Sequence, residues 1–177
     1  ASHGYRSGVI MGTMRITIVV VLVLLAALSS LFAQNAAQVK PPPTPKMAVN
    51  AVLDDFHDAA AKADGNHYFE HMLPDSVFLG TDATERWTKE QFQAYAKPHF
   101  DAGRGWTYNP GDRHVSFSPT ADVAWFDESL TNAKYGECRG SGVLLKTDRG
   151  WKISQYNLTV PVPNELLEKV AGMIREK

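Results

Sequence analysis

Val123 to Leu158 constrains this chain more than any other stretch, because it reads as three consecutive β-strands. They run over Val123–Thr131, Cys138–Thr147 and Trp151–Thr159, each rich in β-branched or aromatic residues. Asn132–Gly136 breaks the first pair, and Asp148-Arg149-Gly150 makes a tight turn between the second and third. Such a run forces an antiparallel sheet. Polar residues interrupt it at Asp127, Glu128, Arg139, Ser141, Gln155 and Asn157. A sheet that only covered a core would keep one face more uniformly apolar.

The stretch before these strands supplies helices. Met47–Asp64 places Val49, Val52, Leu53, Phe56, Ala60 and Ala63 at spacings of three and four, so it predicts an amphipathic helix stopped by Gly65. His57 sits at the edge of that stripe and reads as a boundary histidine. Asn66 caps an expected short helix, His67–Met72, ended by Pro74. Val77–Thr81 reads as a short strand. Thr88 and Gln91 form a capping box that starts a helix kinked at Pro98 and ended at Gly103. Gly105–Ser118 is either a hairpin or one bulged strand, because Asn109-Pro110-Gly111-Asp112 is strong turn chemistry. A last helix, Glu165–Arg175, is capped by Asn164 and carries Leu166, Leu167, Val170 and Ile174, so it can dock on the domain or on a second copy.

The N-terminal part has a different character. Residues 1–13 are set aside as upstream sequence, with Met11 or Met14 as initiator. Arg15, the apolar run Ile16–Leu28 and the small residues up to Ala33 read as a signal peptide over 14–33. The expected product is periplasmic or secreted. An uncleaved segment would instead anchor the N-terminus in the membrane. Residues 34–46 are a proline-rich linker, and the domain is expected over 47–177. The lone Cys138 rules out an intramolecular disulfide. A net charge of −1 gives no reason to expect nucleic acid as a partner.

The order of helix, short helix, strand, helix and then antiparallel strands is an α+β pattern. With the first helix ending in AAAKAD, and with FLGTDATERW, AWFDESL and GVLLKTDRGWKISQYNL, it resembles the nuclear transport factor 2-like superfamily, nearest the SnoaL-like domains of exported bacterial proteins. The resemblance covers Met47 to Pro163. It implies a cone-shaped fold, a curved antiparallel sheet with about three helices on its concave face and a pocket between them. It also implies a homodimer formed through the outer sheet face. Relatives include ketosteroid isomerase, scytalone dehydratase, polyketide cyclases and non-enzymatic association domains, so the fold does not fix the activity.

The residues narrow the possibilities. Strand alternation puts Ala124, Phe126, Glu128 and Leu130 on one face, and Trp151, Ile153, Gln155 and Asn157 on one face. Taking these as the interior, Glu128, Gln155 and Asn157 line the pocket, joined by Arg139. Glu128 or Asp127 is the candidate general base, with Asp82 a further choice. Arg139, Tyr156 and Tyr68 are candidate donors to a developing oxyanion. A Glu128–Arg139 ion pair that only holds the sheet is the competing reading. Asp82, Glu85, Arg86 and Trp87 form a polar loop suited to a pocket rim. His67 and His71 share a helical face, but no third ligand stands nearby in sequence, so neither metal nor cofactor is expected. The function expected is binding of a small molecule in an apolar pocket with a polar floor. An acid–base isomerase, dehydratase or cyclase and a ligand-free dimerisation module are the alternatives.

Overall fold

The computed structural model describes residues 42–176. The segment expected to direct export, and most of the linker, lie outside the described residues. The described residues from Pro43 on form one structural unit.

Helix α1 spans Pro45–Ala61. It starts before Met47 because Thr44 accepts a hydrogen bond from the Met47 amide at 3.3 Å, and Pro45 fits the first turn, where its missing N–H is no loss. The last proline of the linker therefore helps to begin the helix. Its end also differs from expectation. Ala63, at φ 57°, makes the left-handed turn assigned to Gly65, and Asp64 caps α2 (Gly65–Glu70) in place of Asn66. Strand β1 covers Met72–Leu79, longer than expected. Pro74 is tolerated inside it for two reasons. The parallel pairing with a later strand is interrupted between Met72 and Val77, and β2 (Arg86–Thr88) pairs only with Val77–Leu79.

Helix α3, Lys89–Asp101, begins with the predicted capping box. Gln91 N–H donates to Thr88 Oγ1 at 3.3 Å, and Thr88 N–H donates to Gln91 Oε1 at 2.9 Å. Pro98 lies within it. Asn109–Phe117 is one strand, β3, with an irregularity between Pro110 and Arg113. The three strands read from the sequence are β4 (Val123–Asn132), β5 (Gly136–Thr147) and β6 (Gly150–Thr159). The curved, unclosed sheet has six strands in the order β2-β1-β6-β5-β4-β3. Only β1 and β6 are parallel.

The core lies between the helices and the concave sheet face. Val49, Leu53 and Phe56 of α1, Tyr68 and Phe69 of α2, and Phe92, Ala96 and Phe100 of α3 meet Phe78, Ala124, Phe126, Leu144, Ile153 and Tyr156 of the sheet. The final segment is a short 3-10 turn, Asn164–Leu166, running into α4 (Leu167–Arg175), without the side-chain cap expected from Asn164. Leu166, Leu167, Met173 and Ile174 stay exposed on it. Among the described residues no helix is long and apolar enough to cross a membrane.

One register change corrects the facing of β6. Val143 pairs with Gln155, whereas the next residue, Leu144, pairs with Ile153, so Ser154 is an extra residue. A single insertion flips every side chain beyond it. Trp151 and Ile153 point inward, but so do Tyr156 and Leu158, while Gln155 is exposed and Asn157 shares its outward side.

Candidate functional site

The interior polar cluster is built along one sheet row. Arg113 of β3 pairs with Glu128 of β4, Glu128 with Gly140 of β5, and Gly140 with Leu158 of β6. Glu128 is 0% exposed. An ionised carboxylate buried this deeply needs a donor at each lone pair. Here Oε2 accepts from Arg113 Nε at 2.7 Å, with Arg113 Nη2 at the same distance. Oε1 accepts from Tyr156 Oη at 2.9 Å and lies 2.7 Å from His57 Nε2. Arg113 also ties the sheet to α1, donating through Nη1 to Asp54 Oδ1 at 2.7 Å and to the Asn50 carbonyl at 3.2 Å.

The electrostatics follow from the contacts. Burial opposes charge on Glu128, but the His57 and Arg113 contacts outweigh it and hold its pKa below the ordinary carboxylate value. Burial, reinforced by the negative charge of Glu128, pushes the Tyr156 phenol well above its usual range, so it stays a donor. An ionised carboxylate can only accept. The hydrogen between it and His57 therefore sits on Nε2, so the nitrogen that can carry a lone pair is Nδ1. Tyr156 Oη is 3.4 Å from the same Nε2.

Gly140 makes this closeness possible. A Cβ there would collide with the Tyr156 hydroxyl and stand 2.8 Å from Glu128 Oε1.

His57 and Tyr156 also line an inner recess of about 20 Å³, walled by Phe56, Tyr68, Phe78 and Trp106. Phe78, Trp106, Tyr108 and Leu158 are shared with an outer cavity of about 260 Å³ whose rim includes Gly80, Glu85, Trp87, Tyr95 and Tyr135. The two share these walls as one aromatic funnel, with His57 and Tyr156 at its inner end and Glu128 behind them. Trp87 stacks on Phe92 and Tyr95 at centroid distances of 5.3 and 4.8 Å, which fixes one wall. A larger groove of about 460 Å³ lies between α2 and α3, lined by Asn66, Phe69, Lys97 and Asp101 among others, and none of the buried polar cluster reaches it.

The residues picked out from sequence are thus divided. Glu128 and Tyr156 come together inside. Glu85 and Trp87 stand at the funnel mouth, whereas Asp82 and Arg86 are exposed and outside its lining. Asp82 Oδ1 accepts from the Thr84 amide at 2.9 Å, within its own loop. Asp127 is on the outer sheet face, 3.2 Å from His114 Nδ1, and does not meet Glu128. Arg139, Gln155 and Asn157 are also outward, so the cation beside Glu128 is Arg113 instead of Arg139. Tyr68 is buried in the recess wall. Arg113 and the aromatic pair Trp106 and Tyr108 escaped the sequence reading, and His57, expected at the boundary of its helical stripe, is instead buried against Glu128. Arg113 alternates with Val115 and Phe117, which marks it as inward. His57 falls four residues after Leu53, on the same helical face.

The comparisons with known proteins agree with this architecture. Residues 49–163 match the family model of the SnoaL-like domain. No curated protein matches the chain. Among solved structures, a nuclear transport factor 2-like protein of Cytophaga hutchinsonii is 15% identical over 67% of this chain and 100% of its own, with a TM-score of 0.54. A candidate scytalone dehydratase of Novosphingobium aromaticivorans is 11% identical over 65% of this chain and 83% of its own, at 0.55. A candidate aromatic ring hydroxylase of the same organism is 16% identical over 70% and 94%, at 0.58. Identities this low speak to the fold.

Proposed function

This chain belongs to the SnoaL-like domain family, on the nuclear transport factor 2-like fold, and from that premise we propose that it binds a compact, largely apolar small molecule in the aromatic funnel and exchanges a proton with it through His57. Binding is the broader part of the reading. It is supported by the outer cavity of about 260 Å³, just below the usual size for drug-like ligands, and by its aromatic walls. Proton exchange is the narrower part, and one observation carries it. A buried, ionised Glu128 holds His57 Nε2 at 2.7 Å, which leaves Nδ1 as the basic nitrogen of a residue that lines the recess. Glu128 would also stabilise the imidazolium formed when Nδ1 takes a proton. In this reading Glu128 orients the base and is not itself the base, because its oxygens are already occupied.

Two further parts of the reading rest on other grounds. Export rests on Arg15, the apolar run Ile16–Leu28 and Ala33. A homodimer rests on the outer sheet face, where Trp125 is 48% exposed and pairs across the strands with Val143.

Native mass spectrometry of the purified chain, followed by a screen of small aromatic and alicyclic compounds for raised thermal stability, tests the binding. Leu158→Trp fills the junction between mouth and recess and is expected to abolish both the retained mass and the thermal shift. A ligand held equally well by that variant places the binding elsewhere. A turnover found for such a ligand that survives His57→Phe unchanged removes the proton-exchange reading and leaves binding intact.

A further inference from the structure

A second polar cluster lies where α1 meets the end of α2, apart from the funnel. Asp55 projects from α1 towards two histidines, His67 of α2 and His71 directly after it. His67 Nε2 is 2.8 Å from Asp55 Oδ2, and His71 Nε2 is 3.1 Å from the same oxygen. The three side chains bring their ligand atoms within 4.8 Å of one another, so the third ligand absent from the local sequence comes from the preceding helix.

We infer that Asp55, His67 and His71 form a binding site for a divalent transition-metal ion of the Zn²⁺ type. Zinc bonds to imidazole nitrogen and carboxylate oxygen of about 2.0–2.2 Å, subtending 90–109°, separate neighbouring ligand atoms by roughly 2.8–3.6 Å. Both histidine–aspartate separations fall in that range. All three ligand atoms lie within 4.8 Å of one another, so an ion fits once the two imidazoles turn towards each other.

Two independent features point to a ligand. His71 is 7% exposed, and its Nε2 is buried without a hydrogen bond, because its approach to Asp55 is outside hydrogen-bonding geometry. A buried imidazole nitrogen facing a carboxylate in this way lacks a partner that a cation would supply. His67 Nδ1, in turn, lies 3.8 Å from Glu70 Oε2, so an outer carboxylate stands behind one ligand, as is usual for metal-bound histidines.

The surroundings select among metals. Two imidazoles and one carboxylate suit zinc and its neighbours and are poor for Mg²⁺ or Ca²⁺, which need more oxygens. Lys152, whose ammonium donates to the Glu70 carbonyl at 2.7 Å, adds positive charge that opposes any divalent cation, so the ligand bonds themselves must supply the affinity. Three protein ligands leave further coordination positions for water. The His71 carbonyl accepts from the Ile153 amide at 2.8 Å, so a bound ion would also staple α1 to the sheet.

The test uses the full chain freed of metal with a chelator and titrated with Zn²⁺ by calorimetry. One equivalent is expected to bind and to raise the thermal midpoint, with no such response to Mg²⁺. Asp55→Asn and His67→Ala alter half-exposed side chains, so both should fold, and each should weaken Zn²⁺ binding by at least about tenfold. No Zn²⁺ binding, an equal response to Mg²⁺, or a smaller fall in either variant overturns the site. Co²⁺ bound to the unaltered chain gives a readout that needs no variant. Its paramagnetically shifted proton signals should report two histidine ligands, and one or none refutes the assignment.

Discussion

His57 Nε2 and Glu128 Oε1 meet at 2.7 Å although 71 positions separate them in the chain. The contact fixes the first helix to the inner face of β4, and Arg113 repeats the link through Asp54 and Glu128. A carboxylate with this many donors is expensive to strip of its charge. Replacing it by Leu leaves Arg113 without its main partner, and breaking a buried pair costs about 3–5 kcal/mol. Urea unfolding at neutral pH should show Glu128→Leu destabilised by that amount.

The same contacts set a pH dependence. Glu128 has a folded-state pKa below the ordinary 4.5, so the unfolded chain binds its proton first on acidification. The stability from this group is complete above 4.5 and is lost as pH falls through the folded value. Glu128→Gln cannot titrate. The gap in unfolding free energy between the unaltered chain and this variant should therefore shrink as pH is lowered below 4.5, and a gap that stays constant down to the acid limit would contradict the assignment.

Tyr156→Phe removes one hydroxyl and keeps the ring that lies 5.7 Å from Phe78. Its hydrogen bond is to a charged acceptor, so the loss should cost about 1.5–3 kcal/mol. Denaturant melts measure this, and a neutral result would mean that the phenol contributes nothing to the cluster.

Gly140→Ala tests the closeness of Tyr156 and Glu128. The added methyl forces one of them to move, an overpacking expected to cost about 1–3 kcal/mol. Combined with Tyr156→Phe the cost should be less than additive, because the shorter side chain relieves the collision. Full additivity in thermal or chemical melts would show that the methyl is accommodated elsewhere.

The outer face gives a prediction about assembly. Trp125→Arg on an exposed strand position should leave unfolding within about 0.5 kcal/mol for the isolated protomer and convert the proposed dimer to a monomer in size-exclusion chromatography with light scattering. An unchanged mass would move the interface off this face.

Much of the fold was legible because its signals are local. Thr88 and Gln91 sit at capping-box spacing, and the turns at Asn132–Gly136 and Asp148–Gly150 bound the strands whatever lies around them. The site was less legible because its geometry is not local. Alternation in β4 placed Glu128 among Ala124, Phe126 and Leu130, and burial agrees. Which cation meets it depends on strand order, and β4 has Arg113 on one side and Gly140 on the other. No count along the chain distinguishes Arg113 from Arg139 without that order. Asp55 and His71 are likewise joined only by the packing of α1 against the end of α2.

Ser154 is a single surplus residue in β6, and its effect is on the chemical content of the interior. Deleting it would remove the bulge and leave the facing of the residues after it as it is. Pairing it as an ordinary position, with no bulge, would instead make the alternation from Trp151 onwards unbroken. Gln155 and Asn157 would then turn inward, and Tyr156 and Leu158 would turn towards solvent. A phenol and an isobutyl group would be exchanged for two amides with no substitution at any of the four positions. In a sheet built this way, the placing of one bulge changes the lining of the interior as sharply as a change of residue.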